Sequence, residues 1–185
     1  MSKEIQWDNC IPARRYATEG GRYYGPVDIT TYNQFENPLR PSWTNLASVE
    51  ASPGLANWKQ QHGYYADVLT SWATTKGTGA HEAVEFMISG RTIDDTFFND
   101  YLEMHEDIRW KMFGSKWQMI EEMKKCIVQF LLWHEEHQPT ILKSEIMMWH
   151  PDVPYAGTAD LVMKIHNKKQ NQDILMVGDL KTGNE

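Results

Sequence analysis

The stretch ILMVGDLKTG, residues 174–183, decides how this chain is interpreted. Its four leading apolar residues predict a buried strand, and Asp179 and Lys181 follow at the end of that strand. Because residues two apart on a strand point to the same face, we expect the carboxylate and the ammonium to project together. The segment GTADLV, residues 157–162, begins the preceding predicted strand and carries Asp160. If the two strands pair as a hairpin, Asp160 and Asp179 come close to each other.

Two adjacent carboxylates repel each other unless a cation lies between them. Mg²⁺ or Mn²⁺ suits such a site, because both ions take oxygen ligands. A bound ion of this kind polarises a phosphoryl oxygen and lowers the pKa of a bound water. Lys181 would then hold the attacking water or help to deprotonate it, and Glu145 is a further acid within reach. A D-x-K triplet alone is more often a surface salt bridge, so the prediction depends on its position after an apolar strand.

The remaining sequence predicts three regions: an irregular segment with short strands at 1–40, a helical region at 41–140, and β-strands at 141–185. The strands of the last region are predicted at 141–149, 155–165 and 173–179, with a polar hairpin loop between the second and third. Helices are predicted at 55–75, from about 78 to 90, and at about 115–137. The glycines of residues 76–79 predict a break between the first two helices, and hydroxyls at 42–44 are suited to capping a helix.

The composition suits one globular domain, since 41% of the 185 residues are hydrophobic. No apolar run approaches the roughly 18–20 residues needed to span a bilayer, and the N-terminus has no apolar signal segment. The lack of a spanning run predicts no membrane partner, and two cysteines without a disulfide framework predict a reducing, cytoplasmic setting. The net charge of −7 argues against coating nucleic acid by charge alone. It is compatible with an acidic site that a bound metal neutralises.

The two strand motifs, GTADLV and GDLKTG, resemble those of the PD-(D/E)xK nuclease superfamily, in its RecB-like exonuclease branch. Three further stretches extend the resemblance. They are PSWT at 41–44, with Trp43 in place of the usual Val, GTGAHEAVE at 77–85, and Ser144-Glu145. Within the branch, the pattern is most similar to the mitochondrial genome maintenance exonucleases and their phage-encoded relatives. If the chain is encoded by a phage, its compartment is the cytoplasm of the host.

The resemblance implies an α/β fold with a restriction-endonuclease-like core, a three-strand meander with a catalytic hairpin, preceded by a helical region. It implies Mg²⁺- or Mn²⁺-dependent hydrolysis of DNA phosphodiesters from an end, with single-stranded DNA preferred. The implied metal ligands are His81, Asp160, Asp179 and the backbone carbonyl of Leu180. Lys181 would be the catalytic lysine and Glu145 the nearby acid. Replication or recombination proteins are candidate partners, while substrate-binding residues and oligomeric state are left open.

The family carries a further helix with a Q-x-x-x-Y pattern, and a last core strand, after the lysine. The sequence ends at Glu185 without them, so we expect a fragment of a longer product or a fold completed by a second chain. Three alternatives follow. With the same chemistry, the chain is a structure-specific endonuclease or an RNase. Without it, the chain is a nucleic-acid-binding or assembly module that keeps the nuclease fold. A helical interaction domain with only surface acids would have no tight metal site.

Overall fold

A computed structural model describes residues 13–18, 21–27, 38–42, 53–150 and 152–183. The predicted helix cap at 42–44 and the resemblance at Trp43 fall mainly outside the described residues. The chain divides into two compact units. The first contains the described residues before Pro53 together with Ile146–Ala159, and the second contains Pro53–Glu145 with the residues from Asp160 onward. In the described part, no helix is both long and apolar enough to cross a membrane.

The first unit contains an antiparallel sheet of three short strands, β1 (Ala13–Thr18), β2 (Gly21–Pro26) and β3 (Arg40–Pro41). Its small core joins Tyr24 to Trp149 and Ala156. Both large aromatic residues have partners for their polar atoms, as buried tyrosine and tryptophan side chains usually do. The Tyr24 hydroxyl lies 3.1 Å from that of Thr158, and the Trp149 indole donates to the carbonyl of Pro38 at 3.0 Å.

The second unit is built on helices whose ends are specified locally. They are α1 (Pro53–His62), α2 (Tyr64–Ile88), α3 (Asp95–Met104) and α4 (Lys116–His137), with a 3₁₀ turn at Arg109–Met112. The Asp94 carboxylate caps α3 by accepting from two backbone amides. Ser115 and Gln118 form a reciprocal capping box at the start of α4. That helix ends at Gln138, which adopts a left-handed conformation.

The predicted break at residues 76–79 is wrong, because α2 continues through this segment without interruption. The glycines there serve packing between elements. A β-carbon on Gly79 would lie 2.7 Å from Met123 and 2.8 Å from Tyr101, so only glycine lets these side chains approach the helix. A β-carbon on Gly77 would lie 3.0 Å from the hydroxyl of Thr182. Tertiary contacts therefore outweigh the low helix propensity of glycine here.

The C-terminal sheet has the order β4–β5–β6, with β4 at Thr140–Met148, β5 at Gly157–Asn167 and β6 at Gln172–Gly178. The bounds of the predicted strands are confirmed to within two residues at each end. The predicted burial of the last strand is wrong, because Met176 and Val177 are exposed and Ile174 and Leu175 are only partly buried. Strands β5 and β6 pair antiparallel, and the last rung of their ladder joins Leu161 to Gly178. Asp160 and Asp179 are thus the next positions along the two strands. The predicted α/β class is confirmed at the level of mixed helices and sheets.

A hydrophobic cluster attaches this sheet to two helices. Val84 of α2 and Phe130 of α4 pack with Leu161 and Met163 of β5, and all four side chains are buried. Leu180, in the segment after β6, packs against the same cluster and is partly buried. Burial of apolar side chains contributes roughly 1.5–3 kcal/mol each. The cluster thereby fixes the end of the β5–β6 hairpin beside the middle of α2.

Candidate metal centre

Three potential metal ligands meet where α2 lies beside the sheet. His81 comes from α2, Glu145 from β4 and Asp160 from β5. One ligand atom from each side chain lies within 4.8 Å of the other two. The residues are far apart in sequence, so only the folded chain brings them together. Their arrangement offers one imidazole nitrogen and two carboxylates to a common point.

His81 is held in a defined orientation by the segment after β6. Its Nε2 lies 2.9 Å from the carbonyl oxygen of Leu180. A carbonyl oxygen only accepts hydrogen bonds, so we assign the hydrogen to Nε2. In the neutral ring, Nδ1 then carries the lone pair, and Nδ1 lies 3.7 Å from Asp160 Oδ2. Metal-binding histidines commonly have this arrangement, in which the other ring nitrogen donates to a carbonyl or carboxylate.

Asp160 is the most buried of the charged groups at this point, with 14% of its side chain exposed. The backbone amide of Leu180 donates to its Oδ2 at 2.6 Å. Leu180 therefore holds both side chains, through its amide to Asp160 and through its carbonyl to His81. The resemblance predicted the Leu180 carbonyl as a metal ligand, whereas in this structure that oxygen accepts from His81.

Glu145 has an unusual backbone conformation for a residue within a strand. Its φ is 48°, in the left-handed region that side chains other than glycine seldom adopt. Such a conformation costs on the order of 1–3 kcal/mol and persists only where the surrounding structure imposes it. Strained residues of this kind concentrate at functional sites. The strain coincides here with the one β4 carboxylate that reaches His81 and Asp160.

Asp179 and Lys181 do project together, as their spacing predicted, but they pair with each other. Lys181 Nζ lies 2.5 Å from Asp179 Oδ2, and both side chains are mostly exposed. The hydrogen bond to Asp179 raises the pKa of Lys181, so its ammonium stays charged at neutral pH. Asp179 does not belong to the group formed by His81, Glu145 and Asp160. The structure therefore has at this position the ion pair that the sequence analysis weighed as the alternative, and Asp179 lies outside the group to which the resemblance assigned it.

A largely apolar cleft of about 340 Å³ opens beside these charged residues. His81, Asp179 and Lys181 lie along it, and the aromatic rings of Phe130 and Trp133 contribute to its lining. Its volume is within the roughly 300–1,000 Å³ usual for small-molecule sites. The cleft therefore combines apolar walls with a few charged groups, which is the usual composition of a ligand site.

Sequence reasoning missed one charged residue near this cleft. Lys76 of α2 is buried, with 9% of its side chain exposed, and forms an ion pair with Glu122. Its position four residues after the buried Trp72 was the available signal, because it places the lysine on the inward face of α2.

No family model, curated protein or solved structure matches this chain.

Proposed function

We propose that this chain is a divalent-metal-dependent nuclease that hydrolyses phosphodiester bonds of DNA from an end, with single strands preferred. The observation that carries the proposal is the convergence of His81, Glu145 and Asp160 beside Lys181. The sequence resemblance to RecB-like nucleases supplies the reaction class and the restriction-endonuclease-like interpretation of the sheet. The geometry brings together three side chains with potential ligand atoms, each from a stretch that the resemblance nominates.

The donor set fits Mn²⁺ or Mg²⁺. Carboxylate oxygens suit both ions, and the imidazole nitrogen favours Mn²⁺ because Mg²⁺ prefers oxygen ligands throughout. The lone pair that we assign to Nδ1 faces Asp160, and the Leu180 contacts fix both side chains before any ion binds. When bound, the ion would supply Lewis-acid polarisation of a phosphoryl oxygen. His81, Glu145 and Asp160 are the residues that would hold it.

The protein groups around the ligands contribute electrostatics and orientation. The ammonium of Lys181 carries a positive charge that would stabilise the negative charge developing on the phosphate. Asp179 holds this ammonium through their ion pair, so in this state it acts as a positioning residue. A role for Asp179 as a ligand would require its carboxylate to leave Lys181 and turn toward Asp160. A role for Lys181 as a base would require loss of a proton that the same ion pair retains.

The direct test combines a binding measurement with a cleavage measurement. Titration calorimetry with Mn²⁺ should give one site in the wild type, and Asp160→Asn should weaken it at least tenfold. The matched control is Asp173→Asn, because Asp173 forms an exposed ion pair with His166 at the other end of the same hairpin. That variant should bind Mn²⁺ as the wild type does. Equal affinity for Mn²⁺ in all three proteins would refute the assignment of the metal site.

The cleavage assay uses end-labelled single-stranded and double-stranded DNA with Mn²⁺, Mg²⁺ or EDTA. We expect metal-dependent shortening of single strands by the wild type and by Asp173→Asn, and none by Asp160→Asn. Circular single-stranded DNA separates the alternatives, since an exonuclease leaves it intact and an endonuclease linearises it. A labelled RNA strand tests for an RNase. A protein that binds both Mn²⁺ and DNA but leaves the DNA uncut would favour the non-catalytic module.

A further inference from the structure

A second cavity, of about 260 Å³, lies beside Lys181 and differs from the apolar cleft in its charge. We call it the lysine cavity, because Lys76, Lys125 and Lys181 line it. Glu122 is the acid in its lining, and the side chains of Gln129 and Thr182 add neutral hydrogen-bond donors. The cavity therefore combines a surplus of positive charge with several donors. This is notable in a chain whose net charge is −7.

The burial of Lys76 indicates that the positive charge has a use. Removing an ammonium from water is costly unless a partner compensates for it. The partner present is Glu122 Oε2 at 3.6 Å, which is longer than the roughly 2.7–2.9 Å of a charge-assisted hydrogen bond. The same oxygen also accepts from the indole of Trp72 at 3.1 Å. Lys76 thus keeps its capacity to donate hydrogen bonds to an anion in the cavity.

The other two lysines leave the lining positively charged. Lys125 forms no ion pair with any residue that the structure describes. Lys181 is paired with Asp179, but Asp179 lines the apolar cleft and is not part of the lysine cavity. With their ion-pair partners Glu122 and Asp179 counted, the three lysines still leave a surplus of one positive charge for an anion that enters. A compact oxyanion such as phosphate matches this set, because its oxygens accept from several donors at once.

We propose that the lysine cavity binds a phosphate group of the nucleic-acid strand, one adjacent to the phosphate that is cut. The inference rests on the proposed function for the identity of the strand. Four residues line both the lysine cavity and the cleft that contains His81, namely Cys126, Gln129, Lys181 and Thr182. A strand with one phosphate near His81 and the next in the lysine cavity would therefore contact Lys181 between them. The cavity would fix the position of the strand during cleavage.

Cys126 provides a probe that needs neither metal nor cleavage. Cys126 lines both the lysine cavity and the apolar cleft, so lysine variants are needed to locate any protection, and burial raises the pKa of its thiol above the usual value. We would measure its alkylation by N-ethylmaleimide in EDTA, resolving the Cys126 peptide by mass spectrometry. A short single-stranded oligothymidylate and inorganic phosphate would be compared at matched ionic strength. The oligonucleotide should slow alkylation at least fivefold, and inorganic phosphate should slow it more weakly.

Variants on α4 show whether the protection comes from the cavity. Lys125→Gln removes an exposed lysine of the lining and should reduce the protection at least threefold. Lys116→Gln is the matched control, since Lys116 lies on the same helix and pairs with Glu103. That variant should be protected as the wild type is. Equal protection in both variants would overturn the assignment of the cavity.

The remaining outcomes separate this inference from the proposed function. Protection by inorganic phosphate but not by the oligonucleotide would overturn the strand assignment and indicate a site for free phosphate. If neither the oligonucleotide nor inorganic phosphate protects Cys126, the phosphate site is overturned, whatever the cleavage assay gives. Protection by the oligonucleotide in a chain that does not cleave would support the cavity and reject the nuclease.

Discussion

Two glycines of α2 allow a paired test of the packing that holds His81 in place. Replacing Gly79 by alanine adds a methyl group that would lie 2.7 Å from Met123 and 2.8 Å from Tyr101. Met123 is fully buried, and the hydroxyl of Tyr101 is fixed by its bond to the carbonyl of Thr75 at 3.0 Å. Both side chains are buried, so neither can relieve the contact by turning into solvent. Such overpacking costs about 1–3 kcal/mol.

The intrinsic helix preference works in the opposite direction. Alanine is favoured over glycine by about 0.8–1.0 kcal/mol within a helix. Gly79→Ala should therefore lower the free energy of unfolding by up to about 2 kcal/mol. Gly77→Ala gains the same preference, but its new methyl group would meet only the hydroxyl of Thr182 at 3.0 Å. Thr182 lies outside the helices and strands, so a shift of a few tenths of an ångström is cheap. We expect Gly77→Ala to leave stability unchanged or to raise it by up to about 1 kcal/mol.

Urea denaturation followed by circular dichroism measures both variants against the wild type. The prediction concerns the order, with Gly79→Ala the less stable of the two by about 1–3 kcal/mol. A Gly79→Ala protein as stable as Gly77→Ala would refute the packing argument. The glycines would then be tolerated in α2 for a reason other than close contact.

Three further perturbations test other parts of the second unit. Phe130→Ala should lower the free energy of unfolding by about 3–5 kcal/mol, because the ring is buried in the cluster that attaches β5 to the helices. A decrease of less than about 1 kcal/mol, measured by urea denaturation, would contradict that packing. Burial raises the pKa of Tyr101 in the folded protein above its value of about 10 in the unfolded chain. The contribution of Tyr101 to stability is therefore complete below about pH 10 and declines as the pH rises above it. Tyr101→Phe should flatten the alkaline part of a curve of unfolding free energy against pH. At the strained position, Glu145→Gly should be more stable than Glu145→Ala by about 1 kcal/mol, while both lose Mn²⁺ affinity in calorimetry. An alanine variant as stable as the glycine variant would mean that no strain is stored there.

The parts of this fold that sequence reasoning predicted are those with local signals. Strands β4 to β6 show short apolar runs separated by polar turns, and α4 begins at a hydroxyl cap and ends before a proline. These signals depend on a few neighbouring residues. The continuity of α2 could not be predicted, because a glycine that ends a helix and a glycine that admits a neighbouring side chain look the same in sequence. Only the positions of Met123 and Tyr101 distinguish the two cases.

At the candidate site too, sequence reasoning predicted what has a local signal and missed a contact that only the fold creates. The spacing of Asp179 and Lys181 predicted that their side chains meet, and they do. The resemblance nominated Glu145, Asp160 and His81, which the fold brings together. The amide of Leu180, which holds Asp160, carried no signal, since every residue except proline has a backbone amide. The hydrogen bond from the Leu180 amide to Asp160 depends on the distance across the end of the hairpin. That distance depends in turn on how Leu180 packs against the helices.

Glu145 and Lys76, in the described part of the second unit, break rules that natural sequences usually obey. Glu145 is a non-glycine residue with a positive φ inside a strand, and Lys76 is a buried lysine without a close hydrogen-bonded acid. Each lowers stability, and neither is needed to form the helix or strand that contains it. Departures of this kind are expected at functional sites, where stability is traded for a required arrangement. Glu145 belongs to the proposed metal group, and Lys76 to the cavity that shares Lys181 with the adjoining cleft. The two departures thus lie in the two regions to which we assign the proposed metal ion and the proposed phosphate of the strand.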